Sequence, residues 1–182
     1  MAMSEVLVSM PAIETYYAGV LFRSRLEARW AVFFDQLRVK WFYEYEGYKL
    51  PSGTKYVPDF WLHELGLLVE IKPLSFRLLD SEAAEAKKLC EMIDHGAPLL
   101  VLCGSPGEQD GDDWGTNESG YFNYDYHYLW CLCPKCWKAG VQFDGRGGRV
   151  CGDKCSTSDK DYTFDDPRIV AAKKTAMSYR FY

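Results

Sequence analysis

The chain contains no uninterrupted apolar run approaching the roughly 18–20 residues that a bilayer-spanning helix needs. Its opening, MAMSEVLVSMP, has neither a basic segment nor a long apolar core, so it does not read as a secretory signal. Nor is there a cationic excess: 21 Lys and Arg stand against 26 Asp and Glu, a net charge of −5. That argues mildly against a protein that coats nucleic acid by bulk charge, but not against one that grips it through a local patch. Histidine is scarce, at three residues, and none forms an H-x-E beside a cysteine pair, which places a zinc deaminase last among possible readings. Without an export signal, the seven cysteines read as thiols or metal ligands of a cytoplasmic protein and not as disulfides. What is plentiful is apolar and aromatic surface, 48% and 16% of 182 residues, enough for one cored domain with a small appended module.

The organising stretch is YVPDFWLHELGLLVEIKP, Tyr56 to Pro73. Val57–Leu62 and Leu67–Ile71 are aromatic and β-branched, and His63-Glu64-Leu65-Gly66 is a polar turn ending in glycine, the pattern of a hairpin. Folded about that turn, Leu62 faces Leu67, Asp59 faces Glu70 and Val57 faces Lys72. Alternation puts Asp59, Glu70 and Lys72 on one face. Carboxylates directly opposite one another lie roughly 4.5–5.5 Å apart and repel. Such a pair is relieved by a shared proton or a hard cation, and an ammonium one pleat away completes a set suited to phosphodiester hydrolysis. A solvated polar face is the plainer alternative, but acids are depleted in strands and the rest of the hairpin is apolar.

Pro58-Asp59 followed by Glu70-Ile71-Lys72 resembles the PD-(D/E)XK nuclease motif. Upstream, Arg23-Ser24-Arg25-Leu26-Glu27-Ala28-Arg29-Trp30 resembles the first helix of that superfamily, where a Glu often completes the site. The resemblance spans about residues 16–104 and extends to members encoded by phages and mobile elements, including the endonuclease subunit of heteromeric transposases. It implies an α/β fold: a restriction-endonuclease-like α-β-β-β-α-β core with a mixed central sheet flanked by helices. It further implies Mg²⁺ or Mn²⁺ held by Asp59, Glu70, the Ile71 carbonyl and Glu27, with Lys72 positioning water. DNA is the implied partner, met as a homodimer or within a larger nucleoprotein assembly. A polar residue of the second helix, Lys87 or Lys88, is implied to reach the site.

Around this core the elements follow in order. Residues 1–15 read as an arm. From about Val20 to Arg38, Phe22, Leu26, Trp30, Phe33, Phe34 and Leu37 share one helical arc, with Glu27 at its edge and an Arg23–Glu27 ion pair as its plainer role. Arg23, Arg25 and Arg29 could hold phosphates or form a solvated face. Lys40–Tyr45 reads as the first core strand; Glu44 and Glu46 suit edge-strand solubility and are given no catalytic role. Asp80–His95 reads as the second helix and Pro98–Cys103 as a buried strand, with Cys90 and Cys103 as packed thiols. Residues 105–120 are an acidic loop, in which Asp110, Asp112 and Asp113 lack the remaining ligands of a calcium loop.

The second informative stretch pairs Cys133-x2-Cys136 with Cys151-x3-Cys155, the spacing of two knuckles that share a closed, tetrahedral, structural Zn²⁺ site. Cys131 is a possible substitute for Cys133. Residues 121–160 thus read as a zinc-ribbon-like β module and 161–182 as a final helix packed on the core. Lys135, Lys138, Arg146, Arg149 and Lys154, interleaved with Trp137 and Phe143, suit a phosphate-gripping surface or a solvated one. The expected function is metal-dependent cleavage of DNA. The alternative is a catalytically weak DNA-binding or assembly subunit of a phage or mobile-element complex.

Overall fold

A computed structural model describes residues 12–76, 84–108, 120–122, 126–143, 149–151, 153, 155 and 166–182. Most of the expected arm, most of the acidic loop with its three aspartates, the first turn of the expected second helix, Arg146 and Lys154 lie outside the described residues.

The chain opens with a hairpin of β1 (Thr15–Tyr17) and β2 (Val20–Phe22). Val20–Phe22 was expected to be helical. Ala18 and Gly19 both take positive φ, the geometry of a tight two-residue turn, and the hairpin so formed delays the helix to Arg25. Helix α1 (Arg25–Gln36) starts on Ser24, whose hydroxyl accepts from the Glu27 N–H at 3.1 Å. Ser-x-x-Glu is a capping box and fixes the helix start. Next come β3 (Trp41–Tyr43), the small ribbon β4 (Tyr48–Lys49) with β5 (Lys55–Tyr56), then β6 (Phe60–Leu62) and β7 (Leu67–Lys72). Helix α2 (Ala84–Asp94) leads to β8 (Leu99–Cys103), which runs parallel to β7. A parallel neighbour requires such a crossover. Strands β9 (Gly120–Phe122), β10 (Tyr126–Leu132), β11 (Ala139–Phe143) and β12 (Arg149–Cys151) follow, and α3 (Pro167–Ser178) closes the fold.

The cysteine-bearing strands join the core sheet. One mixed sheet of eight strands runs in the order β12-β11-β10-β9-β8-β7-β6-β3, antiparallel except at β7–β8. Its two faces follow the strand alternation. Phe60, Leu62, Val69, Ile71, Leu100, Leu102, Leu132 and Val141 pack with α1 and α3 around the fully buried Trp30, Phe33 and Phe34. Leu68, Leu99 and Val101 face the other way onto Leu89, Met92 and Ile93 of α2. The helix–sheet–helix layering leaves the far end of the β6–β7 pair open for side chains.

Candidate functional site

The expected hairpin forms in the expected register: Phe60 lies across from Val69 and Leu62 across from Leu67, joined by the turn that ends at Gly66 with φ +64°. Strand β6 is shorter than Val57–Leu62, however, and Val57 is partly exposed. The reason is local. Asp59 Oδ2 accepts the Ile71 N–H at 2.7 Å, so a carboxylate takes the ladder position that a backbone carbonyl would otherwise fill. The Asp59 carbonyl in turn accepts the Glu44 N–H at 2.9 Å.

Asp59, Glu70 and Lys72 open into one cavity of about 370 Å³, which Glu27, Arg23, Glu44, Tyr56, Glu85 and Lys88 also line. Glu70 and Lys72 point to the α2 side of β7 and pair at 2.7 Å between Oε1 and Nζ. The other Glu70 oxygen, Oε2, and the Tyr56 hydroxyl are both buried without a well-aligned hydrogen bond, although the Tyr56 phenol lies close enough to Glu70 to interact with it. Leaving a buried acceptor unsatisfied costs about 1–3 kcal/mol, more when it is charged, so the position suits a ligand. Asp59 Oδ1 is taken by Arg23 Nη2 at 2.6 Å, and Arg23 Nε reaches Glu44 at 3.1 Å. Glu27, buried, comes from the first turn of α1 and is held by two hydroxyl donors, Ser24 Oγ at 2.6 Å and Tyr43 at 2.5 Å. The plainer alternative for Glu27, an ion pair with Arg23, does not form: both groups have other partners.

The electrostatics follow from crowding acids into a buried pocket. Asp59 is pushed up to about 8, first by burial and then by the charges of Glu70 and Glu27, against the opposing pull of the Ile71 N–H and Arg23. Burial pushes the Tyr56 phenol up, reinforced by Glu70, so it remains a donor. For Lys72 burial pulls downward, but Glu70 and Glu85 outweigh it and the ammonium is held above its ordinary value. Lys72 also contacts Glu85 Oε2 at 3.3 Å, and Glu85 pairs with Lys88 at 2.8 Å. Asp59, Glu70 and Glu27 offer oxygen donors of the kind hard divalent cations accept, but their oxygens do not all close to within 4.8 Å of one another as the cysteine sulfurs do.

The remaining expected residues divide. Lys88 lines the cavity, whereas Lys87 is exposed and does not. Arg25 is exposed beside the C-terminal residues. Arg29 turns inward, donating to the Ala176 carbonyl at 2.8 Å and to that of Met177, and so caps the C-terminal end of α3. Tyr43, Glu44, Tyr56 and Glu85 had not been assigned to the site. Glu85 was accessible through its i,i+3 spacing to Lys88, and Ser24 through the capping-box spacing. Glu44 was not, because its place depends on a positive φ of 45° at the end of β3.

A second cluster lies across the sheet. The sulfurs of Cys133, Cys136, Cys151 and Cys155 all lie within 4.8 Å of one another, and among the described residues only these bring three or more metal-binding side chains so close. Four thiolates about 2.3 Å from a zinc are necessarily about 3.8 Å apart, so the cluster could hold such an ion. Cys131 stays out of it, buried on β10 opposite Gly140. Burial raises the Cys133 thiol, but the N–H groups of Cys136 and Lys135 bring it down to about 6, while burial and the neighbouring sulfurs push Cys136 up to about 12, so without an ion the crowded sulfurs do not all ionise. Lys138 bonds Asp153 at 2.8 Å and so ties the two knuckles together. Lys135 is exposed, and Arg149 lies in β12. Arg168 of α3 stacks 5.5 Å over Trp137 and pins the first knuckle to the last helix. No family model, curated protein or solved structure matches the chain.

Proposed function

We propose that the protein is a Mg²⁺- or Mn²⁺-dependent phosphodiesterase that cleaves DNA, built on a restriction-endonuclease-like core. The observation that carries this reading is the convergence of Asp59, Glu70 and Lys72, from adjacent strands, with Glu27 on one cavity in which Glu70 Oε2 has no well-aligned hydrogen bond. The Ile71 carbonyl also suits the role. Lys72 O accepts from Gly104 on the β8 side, so by alternation the Ile71 backbone faces the opposite side, where its N–H already meets Asp59. A bound ion would supply an acidified water and neutralise charge on the phosphoryl group. The chain's own groups do the rest. Lys72, held cationic by Glu70 and Glu85, orients the attacking water and stabilises charge developing on the phosphate oxygens. Glu27 adds a third carboxylate, fixed by Ser24 and Tyr43. Exposed Lys135 and the ammonium of Lys88 at the cavity are placed to meet phosphates.

The test is cleavage of plasmid, single-stranded and branched DNA with and without Mn²⁺. D59A and K72A are each expected to lower cutting by roughly 10²–10⁴-fold while keeping the fold and the zinc content. Full activity in D59A would discard the site; DNA binding without any metal-dependent cutting would favour an assembly subunit.

A further inference from the structure

In the resting site both oxygens of Asp59 are occupied. Oδ2 holds the Ile71 N–H, a bond within the sheet, and Oδ1 holds Arg23. Those two partners differ in kind. The Ile71 amide is part of the β7 backbone and cannot leave. The Arg23 side chain is 58% exposed, while that of Asp59 is 3% exposed, so the guanidinium reaches from solvent to a buried carboxyl group. Arg23 also has a second anchor already engaged, Nε to Glu44 Oε1 at 3.1 Å, with the Tyr43 hydroxyl at 3.3 Å. Rotation about that anchor takes Nη2 off Asp59 without releasing the arginine from the rim. Glu44 is held there by a positive-φ backbone, a conformation that is strained for a non-glycine residue and recurs at functional sites. By contrast, Glu70 Oε2 is buried without a well-aligned donor.

Building on the reading of a divalent-ion site at Asp59 and Glu70, we propose that Arg23 is an exchangeable hydrogen-bond partner of Asp59. It occupies Asp59 Oδ1 when no metal is bound, is displaced from it by the divalent ion, and then pivots on Glu44 to clamp a phosphate of the DNA. The positive charge lost from Asp59 is thereby moved to where the substrate's negative charge arrives. Metal and DNA then favour each other's binding, because each rewards the outward position of the same side chain. A purely structural Arg23 would behave otherwise: its removal would loosen Asp59 and weaken metal binding.

The test is Mn²⁺ affinity of the full-length, zinc-loaded protein by calorimetry or by the free-Mn²⁺ electron-spin signal, in wild type, R23Q, R23K, D59A and R23Q/D59A. R23Q is expected to bind Mn²⁺ about tenfold more tightly, since a competing charge next to the ion is gone. R23K keeps the charge and should stay near wild type, and in the D59A background R23Q should give no tightening. With Ca²⁺ in place of Mn²⁺, so that DNA is held and not cut, R23Q should bind a duplex oligonucleotide more weakly than wild type. Unchanged or weakened Mn²⁺ binding in R23Q, alongside loss of binding in D59A, overturns the exchange and leaves the metal site standing. Undiminished Mn²⁺ binding in D59A overturns the metal-site reading and the exchange with it. Should R23Q melt well below wild type, the R23K affinity decides: a clear gain there also overturns the exchange.

Discussion

Asp59 makes the metal-free protein sensitive to pH in a direction opposite to that of an ordinary surface carboxylate. Its folded value lies near 8, against an ordinary 3.8, because burial and the nearby Glu70 and Glu27 charges disfavour ionisation. The folded state therefore holds a proton that the unfolded chain releases between those two values. Stability from this source is fully present below about pH 4 and is lost as pH rises through about 8. At about 1.4 kcal/mol per pH unit the span sets a ceiling of about 6 kcal/mol. Sharing of the proton within the acid cluster reduces what one residue contributes. The assay is urea unfolding of zinc-loaded protein at pH 5, 6.5 and 8 without added Mg²⁺, for wild type and D59N. Asn cannot ionise, so the wild-type stability relative to D59N should fall by several kcal/mol from pH 5 to 8. Adding Mg²⁺ at pH 8 should recover part of the loss in wild type only, since a cation favours the ionised acid. A wild-type-minus-D59N difference that stays flat, or rises with pH, refutes the account of the crowded pocket.

The other predictions concern the frame around the pocket. Because β10–β12 belong to the main sheet and Leu132 and Val141 reach the core shared with α1 and α3, zinc removal or C136S should lower the whole protein's melting midpoint. A loss of about 3 kcal/mol would read as about 10 °C by circular dichroism, with zinc content measured in parallel. An unchanged midpoint in zinc-free protein would mean that the knuckles are decoration. R29A should destabilise by about 1.5–3 kcal/mol, the worth of hydrogen bonds from a charged donor, through release of the α3 C-terminus. It should leave DNA affinity nearly unchanged, whereas a large loss of DNA binding at full stability would return Arg29 to the phosphate-contacting set.

Local patterns were legible wherever neighbouring residues decide the outcome. The hairpin register over Phe60–Leu62 and Leu67–Val69 follows from period-two alternation about a four-residue turn, with Asp59 just beyond the paired residues. Most of α1 followed from 3.6-residue spacing, and the cysteine pairs from knuckle spacing. The misreadings all involve partners outside the segment being read, some close in sequence and some far. Arg29 looked like any exposed helical cation, yet its partners lie almost 150 residues on, in α3. Val20–Phe22 fitted the helical arc, but it pairs with Thr15–Tyr17 instead. Strand β6 was read too long because nothing in Val57-Pro58-Asp59 announces that the carboxylate, and not the backbone, will meet Ile71.

By itself, then, the sequence determined the chemistry available: which acids and which ammonium come from one hairpin, and five thiols from which four could close on one ion. Those are properties of spacing, and spacing survives any arrangement of the rest. Only the tertiary structure decided how those groups are held. It set Asp59 between an amide and an arginine, left one Glu70 oxygen without a well-aligned donor, brought Glu27 in from α1, and ran the cysteine strands into the main sheet. Each of these depends on burial and on contacts between segments tens of residues apart, which only the packed chain creates.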